Sequence, residues 1–193
     1  MGVLIGPNTL YYVIVRPKGK LREDFDFSDE KVRKPALLRP EMGERGTGDM
    51  ATTVIAITNQ KGGVGKTTTA AALLTGLHRR GAAVLGVDMD PQGSLGFSLG
   101  LDIEHCTTIY DVFRGQAEPE QAIVRTDTCD ILPSNILLSG AELEFNRPGR
   151  EFLLKTALSK VEDQYDYIII DTPPALSLLT VNAYVATDSL IIP

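Results

Sequence analysis

The 193-residue chain is 43% apolar and carries 19 Lys/Arg against 25 Asp/Glu, a formal net charge of −6. This composition suits one soluble domain with a full hydrophobic core, and no apolar run approaches the ~20 residues that span a bilayer. The N-terminus lacks the charged start and long apolar core of a signal peptide, and the two cysteines lack metal-type spacing, which favours reduced thiols in a cytoplasmic protein.

The first 50 residues differ from the rest of the chain. They carry nine Lys/Arg and eight Asp/Glu, a net of +1, whereas residues 51–193 carry ten against seventeen, a net of −7. Apolar residues 3–5 and 10–15 predict one hairpin that turns at residues 6–8, and the proline-containing, mixed-charge run that follows disfavours packed structure. We therefore predict a poorly structured extension over residues 1–50 and one domain over residues 51–193.

Met50 lies only a few residues before the first convincing strand. We hypothesise that Met50 is the biological start, so that residues 1–49 are an upstream extension that is not native. The alternative is a native N-terminal arm that binds a partner. The intact mass of the protein from its native source distinguishes the two, because a mass that includes residue 2 onward excludes a start at Met50.

Apolar runs alternate with helical patterns from residue 53 onward, which predicts an α/β fold with a mostly parallel sheet flanked by helices. We predict strands over residues 54–58, 83–87, 129–132, 167–170 and 189–192. We predict helices from the glycine-rich loop to about residue 80 and over residues 108–114, 119–124, 152–161 and 178–186. Ser139 and Glu142 have capping-box spacing and predict a further helix start.

The sequence NQKGGVGKTTT at residues 59–69 joins the first strand to the first helix. Glycines let backbone N–H groups converge on an anion, and the helix N-terminus and a lysine add positive charge. Gln60 stands where the strict phosphate-loop pattern has glycine, and Lys61 adds a second lysine, which is the deviant Walker A form. We therefore predict a three-layer P-loop NTPase whose nucleotide-binding residues are Lys61, Gly62, Gly63, Val64, Gly65, Lys66, Thr67 and Thr68.

Three aspartates follow predicted strands at the edge where open α/β sheets bind their ligands. Asp171 ends an unbroken apolar run, as a Walker B aspartate does, and we expect it to hold Mg²⁺ opposite the Thr67 hydroxyl. Asp88 and Asp90 end the second strand, and either could face the γ-phosphate and orient a water. We assign Thr67, Asp88 and Asp171 to the Mg²⁺ site.

Lys61 is a second lysine in a loop where Lys66 already serves the phosphates. It could neutralise charge on the nucleotide of a partner copy, as an arginine finger does. The alternatives are a contact within its own chain or a solvated side chain, and spacing alone does not decide among them. We assign Lys61, Lys66 and Asp90 to catalysis.

These motifs resemble the ParA/Soj/MinD group of deviant Walker A ATPases, and within it the ParA/Soj partitioning branch. The resemblance covers about residues 52–193 and rests on residues 58–69, 87–93, 107–112, 131–142, 165–174, 179–183 and 186–193. It implies ATP and Mg²⁺ as cofactors, ATP-dependent homodimerisation with Lys61 acting in trans, and Asp90 as the residue that positions the water. It also implies nonspecific DNA binding by the ATP dimer, stimulation by a ParB-like partner, no membrane attachment, and a cytoplasmic, nucleoid-associated location.

Members of this group usually continue for several strands and helices beyond the position that matches Pro193. We therefore expect a chain that is truncated at its C-terminus, with the DNA-binding surface in the missing part. Two alternatives to a partitioning ATPase stay open. One is a MinD-like or cargo-positioning ATPase, and the other is an inactive fragment that acts only as a binding module, because open sheet edges disfavour a soluble enzyme.

Overall fold

A mixed β-sheet organises the chain. The computed structural model describes residues 2–6, 9–15, 51–103 and 105–193. Among them, the strand order is β1-β2-β8-β3-β7-β4-β6-β5. The strands are β1 (Gly2–Gly6), β2 (Thr9–Val15), β3 (Thr53–Ile57), β4 (Val84–Asp88), β5 (Val124–Arg125), β6 (Asp130–Leu132), β7 (Tyr167–Asp171) and β8 (Ser189–Ile192). The five strands from β8 to β6 in this order are parallel, so the predicted mostly parallel sheet is confirmed.

Helices cover both faces of the sheet and give three layers. The helices are α1 (Lys66–His78), α2 (Ser94–Ser98), α3 (Ile109–Phe113), α4 (Pro119–Ala122), α5 (Ala141–Glu144), α6 (Leu153–Leu158) and α7 (Leu178–Ala186). Short 3₁₀ turns lie at Ile136–Gly140, Arg150–Phe152 and Glu162–Gln164. Helices α1 and α2 contribute to the core on one face, and α3 to α7 contribute to the core on the other.

The central strands supply both cores by simple alternation. In β3, Ile55 and Ile57 join the core under α1, whereas Val54 and Ala56 join the opposite core. Strand β7 alternates in the same way. Successive side chains of a strand point to opposite faces, so a strand with helices on both sides is apolar throughout. This explains why these strands read as unbroken apolar runs.

The capping box predicted at Ser139 and Glu142 is wrong. The Ser139 hydroxyl donates to the Ile136 carbonyl inside a 3₁₀ turn that precedes α5, and Gly140 is the residue before the helix. Asn135 caps this segment instead, because its Oδ1 accepts from the Leu137 N–H. The serine thus lies inside the preceding turn, one residue before the cap position of the helix.

Strands β1 and β2 form the antiparallel hairpin that the sequence predicts, with Gly6 opposite Thr9. Strand β2 then pairs antiparallel with β8, Tyr12 opposite Ile192, which was not predicted. The poor order predicted for the remainder of residues 1–50 and the start proposed at Met50 lie outside the described residues and stay predictions. Within the described part of the chain, no helix has both the length and the apolar character that a bilayer crossing requires.

Candidate functional site

Strand β3 runs into a glycine-rich loop that ends at the first residue of α1. Gly63 and Gly65 have φ of +71° and +88°, the left-handed region that glycine adopts without strain. A Cβ placed on Gly62, Gly63 or Gly65 would meet no atom within 4 Å. The loop backbone therefore borders open space on the side where side chains would otherwise stand, and its N–H groups and the helix N-terminus are accessible to an anion.

The two lysines of the loop differ sharply in environment. Lys66 is only 7% exposed, and its Nζ donates to the Lys61 carbonyl at 3.4 Å. Lys61 itself is exposed at the loop entrance, together with Gly62 and Gly63. The buried ammonium lies beneath the loop, whereas the side chain of Lys61 is free to face a ligand or another molecule.

The other predicted loop residues line the start of α1. Val64, Gly65 and Thr67 are half-buried and Thr68 is exposed. The Thr69 N–H donates to the Gly65 carbonyl at 2.8 Å, which closes the first helical turn directly behind the loop. Thr67 thus occupies the second position of the helix, next to the buried lysine and facing the strand ends.

The parallel register of β3, β7 and β4 places the carboxyl ends of these three strands side by side at one edge of the sheet. Asp171 of β7 lies opposite Ile57 of β3 on one side and opposite Asp88 of β4 on the other. Ile57 is the last residue of the strand that enters the glycine-rich loop. The register therefore places both acidic strand ends beside the loop, as predicted from their positions in the sequence.

Asp171 is fully buried, and neither of its carboxylate oxygens has a hydrogen-bond partner among the described residues. Burial raises its pKa to about 6, and the negative charge of Asp90 adds to the shift. The Thr67 hydroxyl, the Lys66 ammonium and the Thr172 N–H lie close enough to offset part of it, although none of them forms a hydrogen bond to either oxygen. A buried carboxylate without donors is costly unless a cation completes its surroundings.

Asp88 has a different role in the structure. Its Oδ1 accepts from the Asp90 N–H at 3.0 Å and its Oδ2 accepts from the Leu95 N–H at 2.9 Å, so the side chain holds the turn between β4 and α2. Burial, followed by the charge of Asp171, raises its pKa to about 7. Because both oxygens already bond the backbone, this geometry assigns Asp88 first to shaping the loop, and its place at a metal stays a prediction.

Asp90 lies in the turn that Asp88 holds. Its Oδ1 accepts from the Gln92 N–H at 3.0 Å. The Ser134 hydroxyl and the Gly93 N–H both donate to the Asp90 carbonyl. The backbone of Asp90 is thus fixed by the segment after β6 and by its own turn, and its half-buried side chain lies close enough to Asp88 and Asp171 for its charge to raise their pKa values.

The oxygen atoms near the glycine-rich loop suit Mg²⁺ better than a metal ion that is coordinated by protein side chains alone. No group of three or more His, Cys, Asp or Glu side chains in the described residues has the arrangement of a metal site. Mg²⁺ usually retains several waters and takes one or two carboxylates together with substrate phosphates. An unpartnered buried Asp171, with Thr67 nearby, fits that chemistry.

Sequence reasoning missed three residues that shape the site. The Thr172 hydroxyl donates to the Ile57 carbonyl at 2.8 Å, Ser134 fixes Asp90, and Asn59 bonds the Lys61 N–H at 3.0 Å. For Asn59 a signal existed, because asparagine accepts readily from the N–H two residues on. The contacts of Thr172 and Ser134 join residues far apart in the chain, so spacing could not reveal them.

A family model described as an AAA domain matches residues 52–193. The sporulation initiation inhibitor protein Soj of Bacillus subtilis is 49% identical over 146 residues, which are 72% of this chain and 57% of Soj. The chromosome partitioning protein ParA of Myxococcus xanthus is 44% identical over 155 residues, which are 78% of this chain and 54% of ParA. The chain therefore spans a little over half the length of these curated relatives.

Solved structures agree with the sequence relatives. A protein described as cobyrinic acid a,c-diamide synthase from Mycobacterium smegmatis, crystallised with ADP and magnesium, is 48% identical with a TM-score of 0.68, covering 70% of this chain and 56% of its own. A plasmid partition protein from Borrelia burgdorferi is 33% identical with a TM-score of 0.65, covering 74% and 65%. The architecture, a mostly parallel sheet flanked by helices, is thus shared with these solved structures.

Proposed function

The chain belongs to the AAA domain family of Soj- and ParA-like ATPases, and from that premise we propose that it binds and hydrolyses ATP as a dimeric switch for chromosome or plasmid partitioning. The observation that carries this proposal is the unpartnered, buried Asp171 carboxylate beside the glycine-rich loop. A fold without a cationic ligand there would leave a buried charge uncompensated. A triphosphate with its metal ion supplies the missing partner.

The loop from Lys61 to Thr68 holds the phosphates in this proposal. Backbone N–H groups and the α1 N-terminus face the anion, and the Lys66 ammonium exchanges its long 3.4 Å bond to the Lys61 carbonyl for a phosphate oxygen. Its low exposure limits competition from water, which strengthens the attraction. Lys66 is thereby the main cationic anchor of the nucleotide.

Thr67 and Asp171 would hold Mg²⁺, since the Asp171 carboxylate is buried without a partner and the Thr67 hydroxyl lies near it. The ion neutralises charge on the phosphates and lowers the energy of the developing transition state. Asp171 would then lose the like-charge and desolvation penalties that raise its pKa in the free chain. Asp88 contributes by holding the turn that carries Asp90.

Asp90 orients the water that attacks the γ-phosphate. Phosphoryl transfer depends mainly on positioning and charge neutralisation, so a fixed carboxylate suffices for this role. The backbone of Asp90 is immobilised by Ser134 and Gly93, and its own side chain is tied at one oxygen to Gln92. The second oxygen remains to accept a hydrogen bond from water.

Lys61 acts across a homodimer interface and completes the site of the partner copy. Its exposed side chain at the loop entrance suits this role better than a contact with its own nucleotide, which Lys66 already serves. The ATP dimer binds DNA nonspecifically, and a ParB-like centromere-binding protein stimulates hydrolysis. These partners place the protein in the cytoplasm, on the nucleoid.

Light scattering with and without ATP and Mg²⁺ tests the proposal. We expect the mass of the chain to double with ATP and Mg²⁺, and Lys66→Ala to stay monomeric under both conditions. Arg79→Ala, at the exposed far end of α1, is the matched control and should dimerise as the wild type does. A wild-type chain that stays monomeric or aggregates regardless of ATP would contradict the proposal.

A further inference from the structure

The Asn59 side chain makes two hydrogen bonds at the entrance of the glycine-rich loop. Its Nδ2 donates to the Pro193 carbonyl, just past β8, at 2.8 Å. Its Oδ1 accepts from the Lys61 N–H at 3.0 Å. One side chain therefore ties the first turn of the loop to the neighbouring strand of the sheet.

The second of these bonds continues toward the phosphate-binding lysine. The Lys61 N–H donates to the Asn59 Oδ1, and the Lys61 carbonyl, which belongs to the next peptide unit, accepts from the Lys66 Nζ at 3.4 Å. Hydrogen bonds thus connect the edge of the sheet at Pro193, through Asn59 and Lys61, to the buried Lys66 ammonium. Asn59 therefore restrains the backbone of Lys61, the residue whose carbonyl accepts from the Lys66 ammonium.

The loop needs such a tether because its own residues provide little restraint. Gly62 and Gly63 are exposed, and no atom lies within 4 Å of the position where a Cβ would stand on Gly62, Gly63 or Gly65. Glycine loses more conformational entropy on ordering than any other residue. A loop that is ordered before the ligand arrives avoids that cost at the moment of binding.

The strand before the loop is anchored independently of Asn59. The Thr58 N–H donates to the Ile191 carbonyl at 2.9 Å, and the Thr58 hydroxyl lies 2.8 Å from the Tyr184 hydroxyl. Thr172 bonds the Ile57 carbonyl as well. Loss of the Asn59 side chain would therefore loosen the loop and leave the end of β3 in place.

We propose that Asn59 is a positioning residue that preorganises the phosphate loop for ATP. An amide suits this place because it donates and accepts at once without adding negative charge beside the phosphates. An aspartate at this position would still accept from the Lys61 N–H, but its negative charge would repel the phosphates. A serine could accept from the same N–H, but its side chain is too short to donate to the Pro193 carbonyl as well. This inference rests on the proposed ATP binding. It states that Asn59 increases the affinity of the chain for ATP without contacting the nucleotide.

Binding of a fluorescent ATP analogue with Mg²⁺ to the full chain tests the inference. We expect Asn59→Ala to weaken binding about three- to tenfold, the effect of losing one or two hydrogen bonds. Asn59→Ser, whose hydroxyl can accept from the Lys61 N–H, should bind with intermediate affinity. In steady-state hydrolysis KM for ATP should rise in Asn59→Ala, with kcat changed less than twofold.

Asn135→Ala is the matched control, since Asn135 makes the same type of contact to the N–H two residues on, at 3.1 Å, outside the loop. It should bind the analogue within twofold of the wild type. Equal binding by the wild type and Asn59→Ala, or equal weakening in Asn135→Ala, overturns the inference. A wild-type chain that does not bind the analogue overturns the proposed function itself. If Asn59→Ala does not fold, the binding of Asn59→Ser is compared with the wild type instead, and equal binding by these two chains overturns the inference.

Discussion

Asp88 and Asp171 lie opposite each other at the ends of adjacent parallel strands, and both side chains are fully buried. They are stabilised unequally. Asp88 receives two backbone N–H groups, whereas the Asp171 oxygens receive none among the described residues. Burial raises the pKa of both carboxyls, and the charge of Asp171 raises that of Asp88 further, so the free chain holds this edge of the sheet at a cost that a cation would remove.

The first prediction concerns stability against pH in the absence of nucleotide and Mg²⁺. The folded pKa of Asp171, about 6, exceeds its ordinary value of 3.8. The folded state therefore binds the proton more tightly, and stability falls as pH rises from about 4 through 6. For this one group the loss is on the order of 2–3 kcal/mol. Asp171→Asn should lack this contribution and keep only the loss that comes from Asp88, whose pKa is raised chiefly by burial.

Urea unfolding at pH 4.5 and pH 7.5 measures this difference. The free energy of unfolding of Asp171→Asn, minus that of the wild type, should be larger at pH 7.5 than at pH 4.5. Asp127→Asn, an exposed carboxylate in a turn, should keep a constant difference. If Asp171→Asn and Asp127→Asn respond to pH alike, the buried carboxyl does not titrate as described.

Asp90→Ala should retain ATP-dependent dimerisation and lose at least tenfold in turnover. Its side chain lies near Asp88 and Asp171, whereas its backbone is held by groups that the substitution leaves in place. Steady-state phosphate release, with light scattering on the same samples, checks both parts. Asp90→Asn keeps the acceptor for the Gln92 N–H and isolates the loss of charge. Normal hydrolysis by Asp90→Ala would show that another group positions the water.

Lys61 acting in trans predicts complementation between two inactive chains. Lys61→Ala and Asp90→Ala should each hydrolyse ATP poorly as homodimers. In a mixed dimer the Lys61→Ala chain keeps its own Asp90 and receives Lys61 from its partner, so one of the two sites is restored. We expect activity to appear on mixing and to follow the proportion of mixed dimers. Mixed dimers that form without any gain in activity would indicate a role within one chain.

Two glycines should respond in opposite directions to alanine. A Cβ on Gly86 of β4 would stand 2.7 Å from the Cδ1 atoms of both Ile131 and Leu74, so Gly86→Ala should cost about 1 kcal/mol through overpacking. A Cβ on Gly76, exposed in α1, meets nothing within 4 Å, and Gly76→Ala should stabilise by about 0.5–1 kcal/mol. Denaturant unfolding measures both, and a stabilised Gly86→Ala would show that the core under α1 has room.

The sequence predicted the fold well where local patterns decide structure. Strand β7 and helix α7 follow from an unbroken apolar run and a periodic segment, and Leu178–Ala186 and Ser189–Ile192 have the predicted bounds. Strand β5 was missed because its two residues, Val124–Arg125, are too short to show a pattern. The pairing of β2 with β8 joins the two ends of the chain, and no local signal reports such a contact.

In the candidate site, too, local patterns in the sequence predicted some residues, and contacts between distant segments could not be predicted. The loop lysines and Asp171 were predicted because motif spacing reports residues that are close in the chain or end a strand. The predicted metal role of Asp88 depended on its position alone, and only the structure revealed that Leu95 and Asp90 already engage its oxygens. Contacts between distant segments, such as Ser134 with Asp90, require the folded chain.

Calorimetric titration of ATP into the wild type and Asp171→Asn, each with Mg²⁺ and with EDTA, tests whether the loop and Asp171 jointly hold a metal-bound triphosphate. We predict that Mg²⁺ tightens ATP binding at least tenfold in the wild type and less than twofold in Asp171→Asn. Both chains should bind ATP comparably in EDTA, because Lys66 and the loop N–H groups remain. An equal gain from Mg²⁺ in both chains, or no binding of ATP by the wild type, would contradict this arrangement.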